Sequence, residues 1–166
     1  MSADERYDPS PAIEALANAG IDFVLIGGLA GIAQGSSYPT YDLDIMYSRD
    51  RANLERLAAL LGELGASLRG APPGLPFLLD ANTLEEGGNF TFETRYGALD
   101  ILAYPEGAPK YEEVKRAADE IDFAGRRILV ASLDHLIAMK DAAGRGKDQL
   151  MATEYRTLAD EKRRQS

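Results

Sequence analysis

Apolar residues recur along the chain in blocks whose spacing switches between helical and alternating. Ile13, Leu16 and Ala17 follow Asp8-Pro9-Ser10-Pro11 at helical spacing, so a first helix is predicted, with Ser10 as N-cap, Pro11 at its first position and Gly20 as its stop. The run from Ile21 to Ile26 reads as a short buried strand entering Gly27-Gly28, and Leu29 to Gln34 as a short helix before Gly35. Tyr41 to Tyr47 is the second predicted strand. From Ala52 to Leu64, the residues Leu54, Leu57, Ala58, Leu61 and Leu64 form one helical stripe, with Arg51, Glu55, Arg56 and Glu63 mostly outside it.

Residues 65–88, which include Ala71-Pro72-Pro73-Gly74, are rich in Gly and Pro and are expected to hold short strand fragments among loops. Asn89 to Arg95 and Ala98 to Tyr104 flank Tyr96-Gly97 as an antiparallel hairpin, and a helix is expected over 110–118. A second hairpin pairs Ile121 to Phe123 with Arg127 to Ala131. Ser132 then caps a helix reaching about Ala143, and Gly144-Arg145-Gly146 separates it from a last helix with Leu150, Met151, Tyr155 and Leu158. No internal repeat or low-complexity stretch interrupts the pattern. The expectation is one α/β (α+β) domain over 1–166, a mixed sheet with packed helices and a C-terminal helical segment at about 132–163.

Composition narrows the chemistry. The chain has 166 residues, 45% of them apolar and 27% charged, the balance of an ordinary globular protein. With 18 basic against 27 acidic residues and a net charge of -9, it would be repelled by phosphate backbones and anionic membranes, so any nucleic-acid contact has to be local. Cysteine is absent, which removes disulfides, zinc-thiolate centres and a Cys nucleophile. His135 is the one histidine, so an ion would be held mainly by carboxylates, which favour magnesium or manganese. The polar, acidic start and the lack of a long apolar run point to a cytoplasmic protein with no membrane segment.

Asp42-Leu43-Asp44 falls in the second predicted strand, where a two-residue period puts both carboxylates on one face and Tyr41, Leu43, Ile45 and Tyr47 on the other. Like charges so placed are costly unless a cation lies between them, and such a pair suits in-line phosphoryl or nucleotidyl displacement. Alone, the pair reads equally as an edge strand whose acids deter aggregation. Asp100 shares its strand face with Ala98 and Leu102; an acid among apolar neighbours suits a general base or a third metal-associated acid, or it caps a nearby amide. Gly27-Gly28, between strand and helix, lets a phosphate approach backbone N–H groups, or is simply a tight turn; it fits neither GxGxxG nor the P-loop. Lys140 continues the stripe of Leu133, Leu136 and Ile137, where its ammonium can meet a triphosphate with Arg145 and Lys147 near in sequence, or merely snorkel. His135 reads as a polar first-turn residue.

Gly27-Gly28, thirteen intervening residues, Asp42-Leu43-Asp44-Ile45 and a later strand acid together resemble the signature of the nucleotidyltransferase superfamily, with its DNA polymerase β-like fold. Lys140-Asp-Ala-Ala-Gly-Arg145-Gly-Lys147-Asp148 further resembles the K-x-x-A-x-R-x-K-D segment of the AbiEii/MenT-like branch, which includes toxins of toxin–antitoxin pairs. The resemblance implies a magnesium- or manganese-dependent transfer of a nucleoside monophosphate from an NTP to a hydroxyl. It implies that Asp42 and Asp44 hold metal and that Asp100 binds metal or activates the acceptor. Gly27, Gly28, Lys140, Arg145 and Lys147 would serve the nucleotide, with Asp148 in support. The acceptor is left open among a tRNA end, a protein hydroxyl and a small molecule, and a cognate antitoxin is a candidate partner. Gly28, Tyr38 and Met151 stand where many members carry a Ser, a basic residue and an acid. They support an alternative reading as a nucleotide-sensing or partner-binding protein without turnover.

Overall fold

The computed structural model describes residues 7–72 and 79–166, so Pro73 and Gly74 of the Pro-rich run lie outside the described residues. Helix α1 spans Ser10–Asn18. Its start is set by Asp8, whose Oδ1 accepts a hydrogen bond from the Ser10 N–H at 2.9 Å. Ser10 is thus the first helical residue and not the N-cap, because an acid two positions earlier supplies the acceptor.

The chain then enters β1 (Phe23–Ile26), turns directly into α2 (Gly27–Ala33) and returns as β2 (Leu43–Tyr47). Helix α3 (Arg51–Glu63) buries the predicted stripe, including Leu54, Leu57 and Leu61, and leaves Arg51, Glu55, Arg56 and Glu63 exposed. The Gly- and Pro-rich stretch yields the two-residue strand β3 (Ser67–Leu68) and a short helix, α4 (Ala81–Glu86). That helix was not expected from the pattern; Asp80 caps it by accepting the Thr83 N–H at 2.8 Å. β4 (Asn89–Thr94) and β5 (Gly97–Leu102) form the first predicted hairpin, α5 (Tyr111–Ala117) follows, and β6 (Asp119–Phe123) with β7 (Arg126–Val130) forms the second.

Two helices complete the chain. In α6 (Leu133–Ala143), the Ser132 side chain accepts from the His135 N–H, as its position predicts. In α7 (Gly146–Gln165), Met151, Tyr155 and Ala159 are buried, whereas Leu150 is 62% exposed. Leu150 precedes the buried row by one residue, about 100° around the helix, and so leaves the expected stripe. No helix among the described residues is long and apolar enough to cross a membrane.

The strands form one seven-stranded mixed sheet in the order β3-β4-β5-β2-β1-β7-β6. β1 pairs antiparallel with β2 and parallel with β7, while β2 pairs parallel with β5. All four residues of β1 are buried, which is what a central strand covered on both faces requires. Tyr155 of α7 packs against Gly31 of α2 so closely that a Cβ at Gly31 would lie 2.3 Å from the tyrosine hydroxyl.

Asn53 of α3 ties the ends of β1 and β2 together. Its Oδ1 accepts the Asp22 N–H at 2.8 Å, and its Nδ2 donates to Ser48 O at 2.9 Å and Asp22 O at 3.2 Å. The side chain is buried, so removing it leaves backbone groups without partners. Asn53→Ala is expected to cost about 2–3 kcal/mol, read as a lower urea midpoint at unchanged slope.

Candidate active site

The site begins where β1 stops. Ile26 pairs with Asp44 on β2, and Asp44 pairs in turn with Asp100 on β5, so the register alone sets the two acids side by side on neighbouring strands. Gly27 takes the left-handed conformation at φ 70°, which lets the strand break straight into α2. A Cβ there would lie 2.1 Å from Asp44 Oδ2, so glycine also leaves the space this carboxylate fills. At Gly28, a Cβ would come within 2.8 Å of the Thr40 Cβ and 2.9 Å of its hydroxyl, so Thr40 occupies the room a side chain would need.

Asp44 Oδ1 is buried and has no hydrogen-bond partner. Burial, then the charge and hydrogen bonding of Asp100, then the charge of Asp42, push the Asp44 carboxyl up to about 7, against the pull of Lys140. Sequence reasoning expected the desolvated acid at Asp100; the structure places it at Asp44.

Asp42 differs from expectation. The strand starts at Leu43, leaving Asp42 exposed on the segment leading into it and Tyr41 60% exposed. The reason is that β1 ends at Ile26, opposite Asp44, so its pairing with β2 does not reach Asp42. The two acids therefore do not share a strand face, although the charge of Asp42 still acts on Asp44. Tyr7 adjoins them: its buried hydroxyl has no hydrogen-bond partner and is pushed up to about 12 by burial and by the charges of Asp42, Asp44 and Asp8. Upstream, the segment is braced by Glu154 of α7, which accepts from the Ser36 and Ser37 hydroxyls, the latter at 2.7 Å, and from the Ser37 N–H at 3.2 Å.

Asp100 has a basic partner that the sequence did not reveal. Arg69 Nη2 donates to Asp100 Oδ1 at 2.8 Å, while Arg69 Nε donates to Glu93 Oε1 at 3.0 Å. No motif surrounds Arg69, and its contact to Asp100 spans 31 residues.

Asp44 lines a cavity of about 290 Å³ together with Gly27, Leu136, Met139, Lys140, Arg145 and Asp148; Asp42 and Asp100 are not part of that lining. Lys140 is mostly buried, as its place on the apolar stripe implies, and donates to Asp148 Oδ1 at 3.3 Å. Arg145 Nε donates to Asp148 Oδ2 at 2.8 Å. Asp148 is buried between these cations, and the hydrogen bond from Arg145 outweighs burial and holds its carboxyl below the usual range, with Lys140 adding to the effect. Lys147 is exposed and lies outside the lining, so the structure does not bring it to Lys140 and Arg145. His135 lines a separate hollow with Glu113 and Arg116. Among the described residues, no three acids or histidines are gathered into a ready-made metal site.

No protein-family profile matches the sequence, and no curated protein does. Solved structures do. A lincomycin-bound lincosamide antibiotic adenylyltransferase, LnuA, superposes with a TM-score of 0.60 at 15% identity, over 89% of this chain and 94% of that one. A Thermotoga maritima protein described as a nucleotidyltransferase gives 0.53 at 12% identity, over 93% and 98%. An antigenic nucleotidyltransferase-like protein from Paracoccidioides brasiliensis gives 0.53 at 15%, over 90% and 72%. The chain has the nucleotidyltransferase fold.

Within that fold, Asp44 carries a pH signature. Asp44 binds its proton more tightly folded than unfolded, so its contribution to stability is complete below about pH 4 and is lost as pH rises through about 7. Asp148 acts in the opposite sense and only below its unfolded value. In protein stripped of divalent ions, stability is expected to fall by roughly a few kcal/mol between pH 4 and 7. Asp44→Asn should flatten that slope, as chemical denaturation at each pH will show.

Proposed function

We propose that this protein is a divalent-metal-dependent nucleotidyltransferase that moves a nucleoside monophosphate from an NTP to an acceptor hydroxyl, with pyrophosphate leaving. The observation that carries this reading is the buried Asp44 carboxyl, set beside Asp100 by strand register and lining one cavity with Lys140. Its unpartnered Oδ1 and the like charges around it form an oxygen-only donor set that suits magnesium or manganese. Asp42 and Asp44 would hold the ion, which supplies Lewis-acid stabilisation of the phosphoryl oxygens.

This chain's own residues then divide the work. Gly27 and Gly28 offer the triphosphate the backbone N–H groups that open α2, while Asp44 and Thr40 fill the space beside the two glycines. Lys140 and Arg145, fixed by Asp148, neutralise phosphate charge. Asp100 takes the acceptor proton as the new oxygen–phosphorus bond forms and the bond to pyrophosphate breaks.

The likeness to a lincosamide adenylyltransferase makes a small-molecule hydroxyl the first acceptor class to test, and the net charge of -9 weighs against RNA. The likeness of the Lys140 to Asp148 segment to the AbiEii/MenT-like branch keeps a tRNA end, with a cognate antitoxin, as the next class. Incubation with each α-labelled NTP, magnesium and a total cell extract should label one size class of acceptor. Asp42→Asn with Asp44→Asn should abolish that label. Tight NTP binding without any transfer would favour the non-catalytic reading drawn from Gly28, Tyr38 and Met151.

The same variant has a substrate-free readout. At free magnesium tenfold above its dissociation constant, linkage stabilises the protein by ~1.4 kcal/mol and raises Tm by a few degrees. The double variant should not respond. An equal response in both proteins would exclude these acids as the ion site.

A further inference from the structure

Arg69 lies at the edge of the sheet, just beyond the two residues of β3, and its N–H donates to Thr91 O at 2.9 Å. Thr91 pairs with Asp100, and Asp100 pairs with Asp44, so Arg69 ends a row that crosses the sheet to the buried acid. Its guanidinium is fixed by three acceptors: Asp100 Oδ1 at 2.8 Å, Phe92 O at 2.9 Å and Glu93 Oε1 at 3.0 Å. The Arg69 and Asp100 side chains are 32% and 17% exposed. A planar guanidinium held at several points cannot swing with the carboxylate it binds, and so fixes one carboxylate oxygen and, through it, the plane of the group. A surface ion pair made for sheet stability alone would be complete with Glu93. The inward bond to Asp100 goes further and reaches the acid pair.

Resting on the nucleotidyltransferase reading above, we propose that Arg69 is a positioning residue for the transfer step, pinning Asp100 Oδ1 so that its second oxygen is presented to the acceptor hydroxyl, with Glu93 holding Arg69 in place. In that step the acceptor oxygen bonds to the α-phosphorus, its proton passes to Asp100, and the bond to the bridging oxygen breaks, with the electron pair leaving on pyrophosphate. Arg69 touches no reacting atom. Its effect is on the rate of the bound complex and not on nucleotide affinity, because Arg69 is not part of the cavity that Lys140 and Arg145 line.

The test measures label transfer from α-labelled NTP, with magnesium and cell extract, for wild type, Arg69→Met, Arg69→Lys and Glu93→Gln, alongside Tm. Arg69→Met should lower the saturated rate about 10- to 100-fold with KM for NTP within about twofold. Arg69→Lys, which keeps the charge but not the fork, should recover part of that rate, and Glu93→Gln should show a smaller loss. A wild-type rate in Arg69→Met, or a raised KM at unchanged rate, overturns the inference; so does a change confined to Tm. Should Arg69→Met not fold, wild-type rates in both Arg69→Lys and Glu93→Gln overturn it. If the wild-type protein transfers no label from any NTP, the underlying reading falls, and this inference with it.

Discussion

Strand register forces two carboxylates together. Asp44 and Asp100 are partners across β2 and β5, and parallel pairing leaves neither free to move away without unzipping the centre of the sheet. Burial and mutual repulsion make this arrangement costly, and the buried apolar residues on both strands hold it: Leu43, Ile45, Leu99 and Ile101 face the core while the acids face the other way. The core's packing energy thus keeps the acids adjacent, and the cost appears as the raised proton affinity of Asp44.

Around this confrontation the chain arranges compensating charge from opposite sides. Arg69 approaches Asp100 from the sheet edge, and Lys140 acts on Asp44 from the helical layer. Neither cation is free-standing: Glu93 holds the first and Asp148 the second. Each acid of the pair is therefore answered by a cation that is itself held by an acid outside the pair. Such nested pairing is orienting as much as it is stabilising, since each group's geometry is fixed by the next.

Much of this could be read in the sequence. The glycine turn, Asp44 on its strand, both hairpins, the capped α6 and the mostly buried Lys140 follow from local pattern, and the mixed sheet follows from their order. What could not be read depended on where neighbouring strands end or on contacts distant in sequence. The alternation rule put Asp42 in the strand, but β1 stops at Ile26 and takes the pairing with it. Arg69 follows a two-residue strand, precedes Gly70 and carries no periodic signal, so its contact with Asp100 could be found only once β3, β4 and β5 were aligned. Helix α4 did leave a sign in Asp80, three residues before Thr83, obscured by the turn-rich sequence around it.

The bracing of the segment ahead of Asp42 by Glu154 links residues more than a hundred positions apart, with Ser37 and Glu154 separated by 117. During synthesis, the stretch from Ser36 to Asp44 leaves the ribosome long before α7 exists to hold it. The sheet can align the acids by register once β5 is made, yet the approach to them is not anchored until the C-terminal helix docks. The order of translation therefore separates the appearance of the acids from the completion of their setting, and a growing chain carries the pair without its brace until α7 has been made.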